Sequence, residues 1–107
     1  MILNVTFDGA RYQIGVEDQM VSDAEPMFSK MDADMAEGYR MGVEYVESPD
    51  HMQRAQIVAD KLARAISQEN ESMAMAMAAY LMNRLPGVIH VDIDNTGDFA
   101  STQFSRG

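Results

Sequence analysis

The dipeptide Asp8-Gly9 lies between two stretches, 2–7 and 10–16, in which apolar side chains alternate with others. Alternation with a period of two is typical of strands that bury one face. Asp-Gly suits a two-residue type I′ turn, because both central residues of that turn need positive φ. A β-hairpin is therefore predicted at 2–16, with its apolar side chains on one face. The predicted pairs are Phe7 with Ala10, Val5 with Tyr12 and Leu3 with Ile14.

The middle of the chain has the three-to-four spacing of apolar residues that predicts helices. The first helix is predicted over 22–46 and starts with a capping-box pattern at Ser22. The second begins at Ser48, and the third covers 73–85. We expect a break at the polar stretch 67–72, because a single helix of about 35 residues is unusual in a small domain.

The end of the chain predicts a further strand. Ile89, Val91 and Ile93 alternate with polar residues, and the simplest place for such a strand is beside the hairpin. Residues 98–107 predict a turn followed by a short strand or a frayed tail. A length of 107 residues suits one domain covering 1–107. The predicted fold class is α+β, in which the N-terminal hairpin and the C-terminal strand form a small antiparallel sheet packed by two or three helices.

Acidic residues are concentrated in one segment. The net charge is −9, and residues 17–50 hold ten acidic residues against Lys30 and Arg40. This balance disfavours binding to nucleic acid or to an anionic membrane and favours a basic protein surface. We therefore expect a non-catalytic protein-interaction module, in one version an antagonist that occupies the nucleic-acid-binding surface of its partner. The predicted partner-binding residues are Asp32, Asp34, Glu37, Glu44 and Glu47.

The composition excludes several other classes of function. Without cysteine, the chain has no disulfide framework, thiolate nucleophile or zinc–thiolate site. The longest apolar run, 73–82, is about half of the roughly 20 residues that a membrane span needs. His51 and His90 have no evident catalytic companion, so we expect no enzyme and no cofactor, and a small enzyme built on His90 and Asp92 is the weakest of the alternatives. A cytoplasmic location is the expectation.

A second hypothesis is a calcium-binding or calcium-stabilised domain. The stretch 92–103 resembles the first part of an EF-hand loop, because acidic, hydroxyl and glycine residues follow one another at the loop's spacing. Gln103 stands where the bidentate glutamate belongs, which removes one charge and one two-oxygen ligand. The predicted metal ligands are Asp92, Asp94, Thr96 and Asp98.

A third hypothesis is a homo-oligomeric scaffold or accessory subunit. Gly38 and Gly42 lie one turn apart on the apolar stripe of the first predicted helix, where Met31 and Met35 also lie. Each glycine lowers the stability of a helix by about 1 kcal/mol relative to alanine, so close approach of another helix is expected in return. That helix belongs either to the same chain or to a second copy.

Overall fold

A computed structural model describes residues 1–106, which form a four-stranded sheet, a separate two-stranded sheet and four helices. None of the helices in that range is both long and apolar enough to cross a membrane. The strands are β1 Ile2–Phe7, β2 Ala10–Gly15, β3 Tyr39–Met41, β4 Glu44–Val46, β5 Val88–Ile93 and β6 Gln103–Arg106. The helices are α1 Asp18–Asp23, α2 Glu25–Ala36, α3 His51–Ser67 and α4 Glu71–Arg84, and a 3₁₀ turn covers Phe99–Ser101.

The main sheet has the strand order β2-β1-β5-β6. The predicted hairpin is confirmed in its register, with Val5 opposite Tyr12 and Leu3 opposite Ile14. The α+β fold class is also confirmed, but β5 runs parallel to β1 and makes the sheet mixed. The reason is the helical crossover between β2 and β5, which returns the chain to the end of the sheet where β1 starts. The last strand, β6, pairs antiparallel with β5, so the predicted tail is a strand over Gln103–Arg106.

The core lies between one face of this sheet and the helices α3 and α4. Leu3 and Val5 of β1 and Val91 and Ile93 of β5 are buried in one cluster with the apolar faces of both helices. The predicted break between the helices is confirmed. Glu69 has a φ of +55°, and the Asn70 side chain accepts a hydrogen bond from the backbone N–H of the first turn of α4. The other face of the sheet is open to solvent and carries mainly polar side chains.

The prediction of one helix over 22–46 is wrong. The chain forms α1 and α2 instead, and α2 ends at Ala36. Gly38 and Gly42 have φ values of +116° and +66°, and neither lies in a helix. Two glycines disfavour a helix, and the aromatic and β-branched residues among 39–46 favour strands, so this stretch forms the hairpin β3–β4. The start of α3 also differs from the prediction, because Asp50 and not Ser48 is the N-cap.

The Asp32 carboxylate links α2 to α3 and α4. Tyr80 of α4 donates its hydroxyl hydrogen bond to Asp32, and Arg84 donates from Nε over 3.0 Å. Arg54 of α3 is the third partner, with its Nε 3.4 Å from Asp32 Oδ1. Burial and the Asp32 carboxylate raise the pKa of the Tyr80 phenol, so the phenol stays a donor. Asp32 is only 27% exposed in its side chain, and its oxygens are directed at these three groups.

We expect Asp32→Asn to lower the free energy of unfolding by about 2 to 3 kcal/mol, because hydrogen bonds to a charged group are lost, Arg54 loses its ion-pair partner and Arg84 keeps only Glu25. Urea denaturation followed by circular dichroism measures this change. The matched control is Asp34→Asn on the same helix, whose ion pair with Lys30 is exposed, with an expected change within about 0.5 kcal/mol. Equal effects of the two substitutions would contradict the role of Asp32.

Candidate functional site

Four of the five predicted partner-binding residues lie on an exposed surface. Asp34 is near the end of α2, and Glu37, Glu44 and Glu47 follow in the segment 37–47, which we call the acidic hairpin. The fifth, Asp32, is directed into the ion-pair network with α3 and α4. We therefore leave Asp32 out of the candidate surface, because its oxygens are engaged inside the fold.

Two positions of the acidic hairpin, Gly38 and Gly42, have a positive φ and close neighbours, so only glycine fits there without strain. The Tyr45 ring closes over Gly38, where an added Cβ would lie 2.1 Å from the tyrosine hydroxyl oxygen. That hydroxyl donates a hydrogen bond of 3.5 Å to the Glu37 carbonyl. Gly42 is the first residue of the two-residue turn between β3 and β4, the position that glycine takes in a type II′ turn. An added Cβ there would lie 2.7 Å from the Gly97 carbonyl oxygen, so the turn rests against that loop.

The two faces of the acidic hairpin have different environments. Tyr39 and Met41 pack against the core, and Lys61 of α3 lies 5.5 Å from the centre of the Tyr39 ring. The outer face carries Tyr45, which is 59% exposed, and the turn carries Val43, which is 94% exposed. The hairpin is therefore anchored on its inner side and presents two apolar side chains to solvent.

This arrangement has the anatomy of a small protein-binding surface. Interfaces combine an apolar or aromatic centre with a polar rim, and tyrosine is among the residues that contribute most to binding energy. Here Val43 and Tyr45 are the exposed apolar side chains. The carboxylates of Glu37, Glu44 and Glu47 are exposed in the same segment, and Arg40 lies opposite Tyr45 in the strand register. Neither apolar residue was predicted from the sequence to lie at a binding surface, because the predicted first helix covers both. The signal that identifies them is a glycine turn between strand-forming residues.

The four residues predicted as an oligomer contact do not form one stripe. Met35 is buried at 2% exposure, and Met31 is half-buried against the same core. Gly38 and Gly42 lie outside α2, in the acidic hairpin. Close approach to the glycines does occur, but the neighbours are Tyr45 and the Gly97 backbone rather than another helix.

The loop after β5 uses its acidic residues on its own backbone. Asp94 accepts hydrogen bonds from the backbone N–H groups of Thr96 and Asp98 and from the Thr96 hydroxyl, and these bonds lower its pKa. Asp98 in turn caps the following 3₁₀ turn, and Asp92 is exposed on the sheet. All three of these hydrogen bonds go to Asp94 Oδ2, so this oxygen is engaged within the loop. Residues 1–106 hold no group of three acidic, histidine or cysteine side chains placed to bind a metal, and calcium binding stays a prediction.

A separate cleft lies between the acidic hairpin and α3. It has a volume of about 510 Å³, and Asp60 lies in its wall with its carboxylate 2.9 Å from Arg64 Nη2. Burial raises the pKa of Asp60 although Arg64 and Lys61 act in the opposite direction. A desolvated carboxyl in a cleft is a general acid–base group in many enzymes, but such chemistry also needs a positioned nucleophile or a second acid–base group. The cleft is lined by Tyr39, Arg40, Gly42, Asp60, Arg64, Gly97 and Phe99.

We expect Gly38→Ala to destabilise the protein by about 2 to 3 kcal/mol, because a positive φ is strained for alanine and the new methyl group clashes with the Tyr45 ring. Urea denaturation of Gly38→Ala and of Gly38→Ala/Tyr45→Ala separates the two causes, since removal of the ring relieves only the clash. Gly87→Ala is the matched control, because Gly87 has a φ of +85° and open space around it. If Gly38→Ala costs no more than Gly87→Ala, the packing of Tyr45 on Gly38 is wrong.

The pKa of Asp60 leads to a pH prediction. In the unfolded chain this carboxyl has its ordinary pKa of 3.8, and in the folded chain the pKa is higher, so ionisation at neutral pH lowers the stability of the fold. We expect Asp60→Asn to unfold at a higher temperature than the wild type at pH 7. The difference should shrink as the pH falls through the raised pKa of the folded chain and be nearly gone below the ordinary pKa of 3.8. Thermal unfolding over a pH series measures it.

Asp94→Asn is the control with the opposite sign, because hydrogen bonds lower the pKa of Asp94 and its charge stabilises the fold above the ordinary pKa. This variant should unfold at a lower temperature at pH 7, and its deficit should shrink in acid. A shift in the same direction for both variants would contradict the assignment.

Comparisons of the chain with protein-family models, with curated proteins and with solved structures find no match. Within residues 1–106, the acidic hairpin presents Val43 and Tyr45 to solvent together with three exposed carboxylates of the same segment.

Proposed function

We propose that the protein is a non-catalytic interaction module that binds a basic protein surface through the acidic hairpin. The observation that carries the proposal is the exposure of Val43 and Tyr45 on a hairpin whose inner face is anchored to the core. A side chain that is 94% exposed contributes little to folding, so its apolar character is available for a partner. The proposed contact residues are Asp34, Glu37, Val43, Glu44, Tyr45 and Glu47.

The charge of the surface determines the class of partner. Glu37, Glu44 and Glu47 make no ion pair within residues 1–106, and Arg40 is the one basic side chain in the acidic hairpin. A surface of one sign attracts a partner of the opposite sign, raises the association rate and loses this advantage as salt rises. Lysine and arginine on the partner complement these carboxylates, and an apolar side chain of the partner covers Val43.

The apolar centre gives the contact affinity that charge alone lacks. Exposed ion pairs contribute about 0 to 1 kcal/mol each, whereas full burial of a valine or a larger apolar side chain contributes about 1.5 to 3 kcal/mol. Burial of Val43 and Tyr45 together therefore contributes more to the free energy of binding than the exposed ion pairs do. The carboxylates then select a basic partner and orient it.

The antagonist version of the proposal follows from the same chemistry. Proteins that bind nucleic acid present lysine and arginine to phosphates, and a rim of carboxylates competes for those side chains. A protein with this surface would exclude nucleic acid from its partner while it is bound.

The test of the module is capture of partners from a lysate of the native host at low and at moderate salt, with quantitative mass spectrometry. The wild type should retain a basic protein, and retention should fall as salt rises. The variants Glu44→Lys/Glu47→Lys and Val43→Ser should each lose most of it. The control Asp23→Lys/Asp92→Lys changes the net charge by the same amount on exposed residues away from the acidic hairpin. Equal loss in the control, or retention by both hairpin variants, would contradict the proposal.

The antagonist version has its own test. The captured partner is purified, and its binding to RNA and DNA is measured with and without this protein. Competition should be complete at saturation and absent with Glu44→Lys/Glu47→Lys. If the partner binds nucleic acid equally well in the complex, the antagonist version is wrong and the interaction module remains.

A further inference from the structure

The outer strand β2 has backbone groups that the sheet does not use. Met1 and Val16 exchange two backbone hydrogen bonds, of 2.8 and 2.7 Å, where the chain enters and leaves the hairpin. In an antiparallel pair such hydrogen-bonded pairs alternate with pairs whose N–H and C=O groups point away from the partner strand. The groups that point outward are therefore those of Arg11, Gln13 and Gly15, and no strand within residues 1–106 lies on that side of β2.

The edge formed by β2 has few of the features that usually block pairing with another chain. Proteins protect an edge strand with proline, with charged side chains, with a bulge or by covering it. β2 is six residues long, contains no proline, and Arg11 is its one charged residue. Its register with β1 is continuous from one end to the other. The strand is thus able to pair with one more extended segment.

An apolar groove lies beside this edge on the helical side of the sheet. The groove has a volume of about 620 Å³ and separates β2 from the ends of α3 and α4. A strand added to β2 would lie roughly 4.8 Å from it and direct every second side chain into the groove. The apolar walls are Ile14 of β2, Ala65 and Ile66 of α3, and Ala74 and Met75 of α4.

The charges at the groove identify its occupant. Glu69 and Glu71 lie in the wall, both are exposed, and neither has an ion-pair partner within residues 1–106. A second copy paired through its own β2 would bring its own Glu69 and Glu71 to the same junction, where like charges repel. A segment that carries lysine or arginine complements these carboxylates instead.

From this geometry we propose that β2 and the groove bind an extended peptide segment of a partner protein, which adds a fifth strand to the sheet. Its apolar side chains alternate and enter the groove, and a lysine or arginine lies against Glu69 and Glu71. This site is separate from the acidic hairpin, which contacts the Gly97 loop between β5 and β6. The backbone of the segment supplies affinity, and its alternate side chains supply selectivity.

The first experiment selects binders from a displayed library of random peptides of about ten residues, with the immobilised wild-type protein as target. The expected sequences alternate apolar and polar residues and contain lysine or arginine. Sequences without alternation, sequences without a basic residue, or failure to enrich any sequence would overturn the proposal.

The second experiment follows amide hydrogen exchange by NMR with the best selected peptide. At saturation the amides of Arg11, Gln13 and Gly15 should exchange at least about tenfold more slowly, because a new strand accepts their hydrogen bonds. Met75→Glu and Glu69→Lys/Glu71→Lys should each weaken binding of the peptide about tenfold or more. Glu44→Lys/Glu47→Lys, with the same change in net charge, should leave the affinity within about twofold.

Two outcomes would overturn this site without affecting the acidic hairpin. One is binding of the selected peptide with no slowing of exchange at Arg11, Gln13 and Gly15. The other is slowing of the same amides that grows with protein concentration in the absence of peptide, which would assign the edge to a second copy. Loss of lysate partners by the variants of Val43 and Glu44 tests the acidic hairpin alone.

Discussion

The carboxylate of Asp32 joins three helices, and the position of the acidic hairpin depends on it. Tyr80 and Arg84 of α4 donate hydrogen bonds to this side chain, and Arg54 of α3 forms an ion pair with it. The Asp32 carboxylate forms ion pairs with both α3 and α4, and the acidic hairpin follows directly after the end of α2. A carboxylate removed from water is costly unless its oxygens are paired, so the cluster tolerates few other positions for α2. The anchored helix then determines where Val43 and Tyr45 meet solvent.

The acidic residues therefore divide into two groups with different physical roles. Asp32 and Asp60 are partly buried. Asp32 stabilises the fold through its ion pairs, whereas burial of the Asp60 carboxylate is unfavourable and raises its pKa. Glu37, Glu44 and Glu47 are exposed, so their charges change the free energy of folding little. Only the second group is available to a partner. The count of acidic residues in a segment does not separate the groups, because separation needs the position of each side chain relative to the helices.

The two candidate surfaces lie toward opposite edges of the sheet and use different physics. The acidic hairpin offers side chains on an anchored support, so the proposed contact there would gain affinity from burial of Val43 and Tyr45. The β2 edge offers unpaired N–H and C=O groups beside an apolar groove, so affinity there comes from the backbone of the added segment. Both have acidic neighbours, which in the two proposals favour a basic partner. A single partner with a folded basic surface and an extended tail is compatible with both.

By itself, the sequence determined the features that depend on neighbouring residues. The Asp8-Gly9 turn and the alternation around it are sufficient for the hairpin register, since a shift by one residue would turn the apolar face to water. Asn70 and the polar stretch before it are sufficient for the break between α3 and α4. In the stretch 37–47 the apolar spacing fits a helix and a hairpin alike, so spacing is not sufficient there. Strand propensity and two glycines decide the outcome in favour of the hairpin.

Only the tertiary structure decided the features that depend on distant residues. The parallel pairing of β5 with β1, the burial of Asp32 among two arginines and a tyrosine, and the groove beside β2 each join residues far apart in the chain. No local pattern predicts such contacts, because they follow from how the helical layer packs on the sheet. The acidic composition and the hairpin are thus properties of the sequence. The surfaces that a partner would meet are properties of the packing.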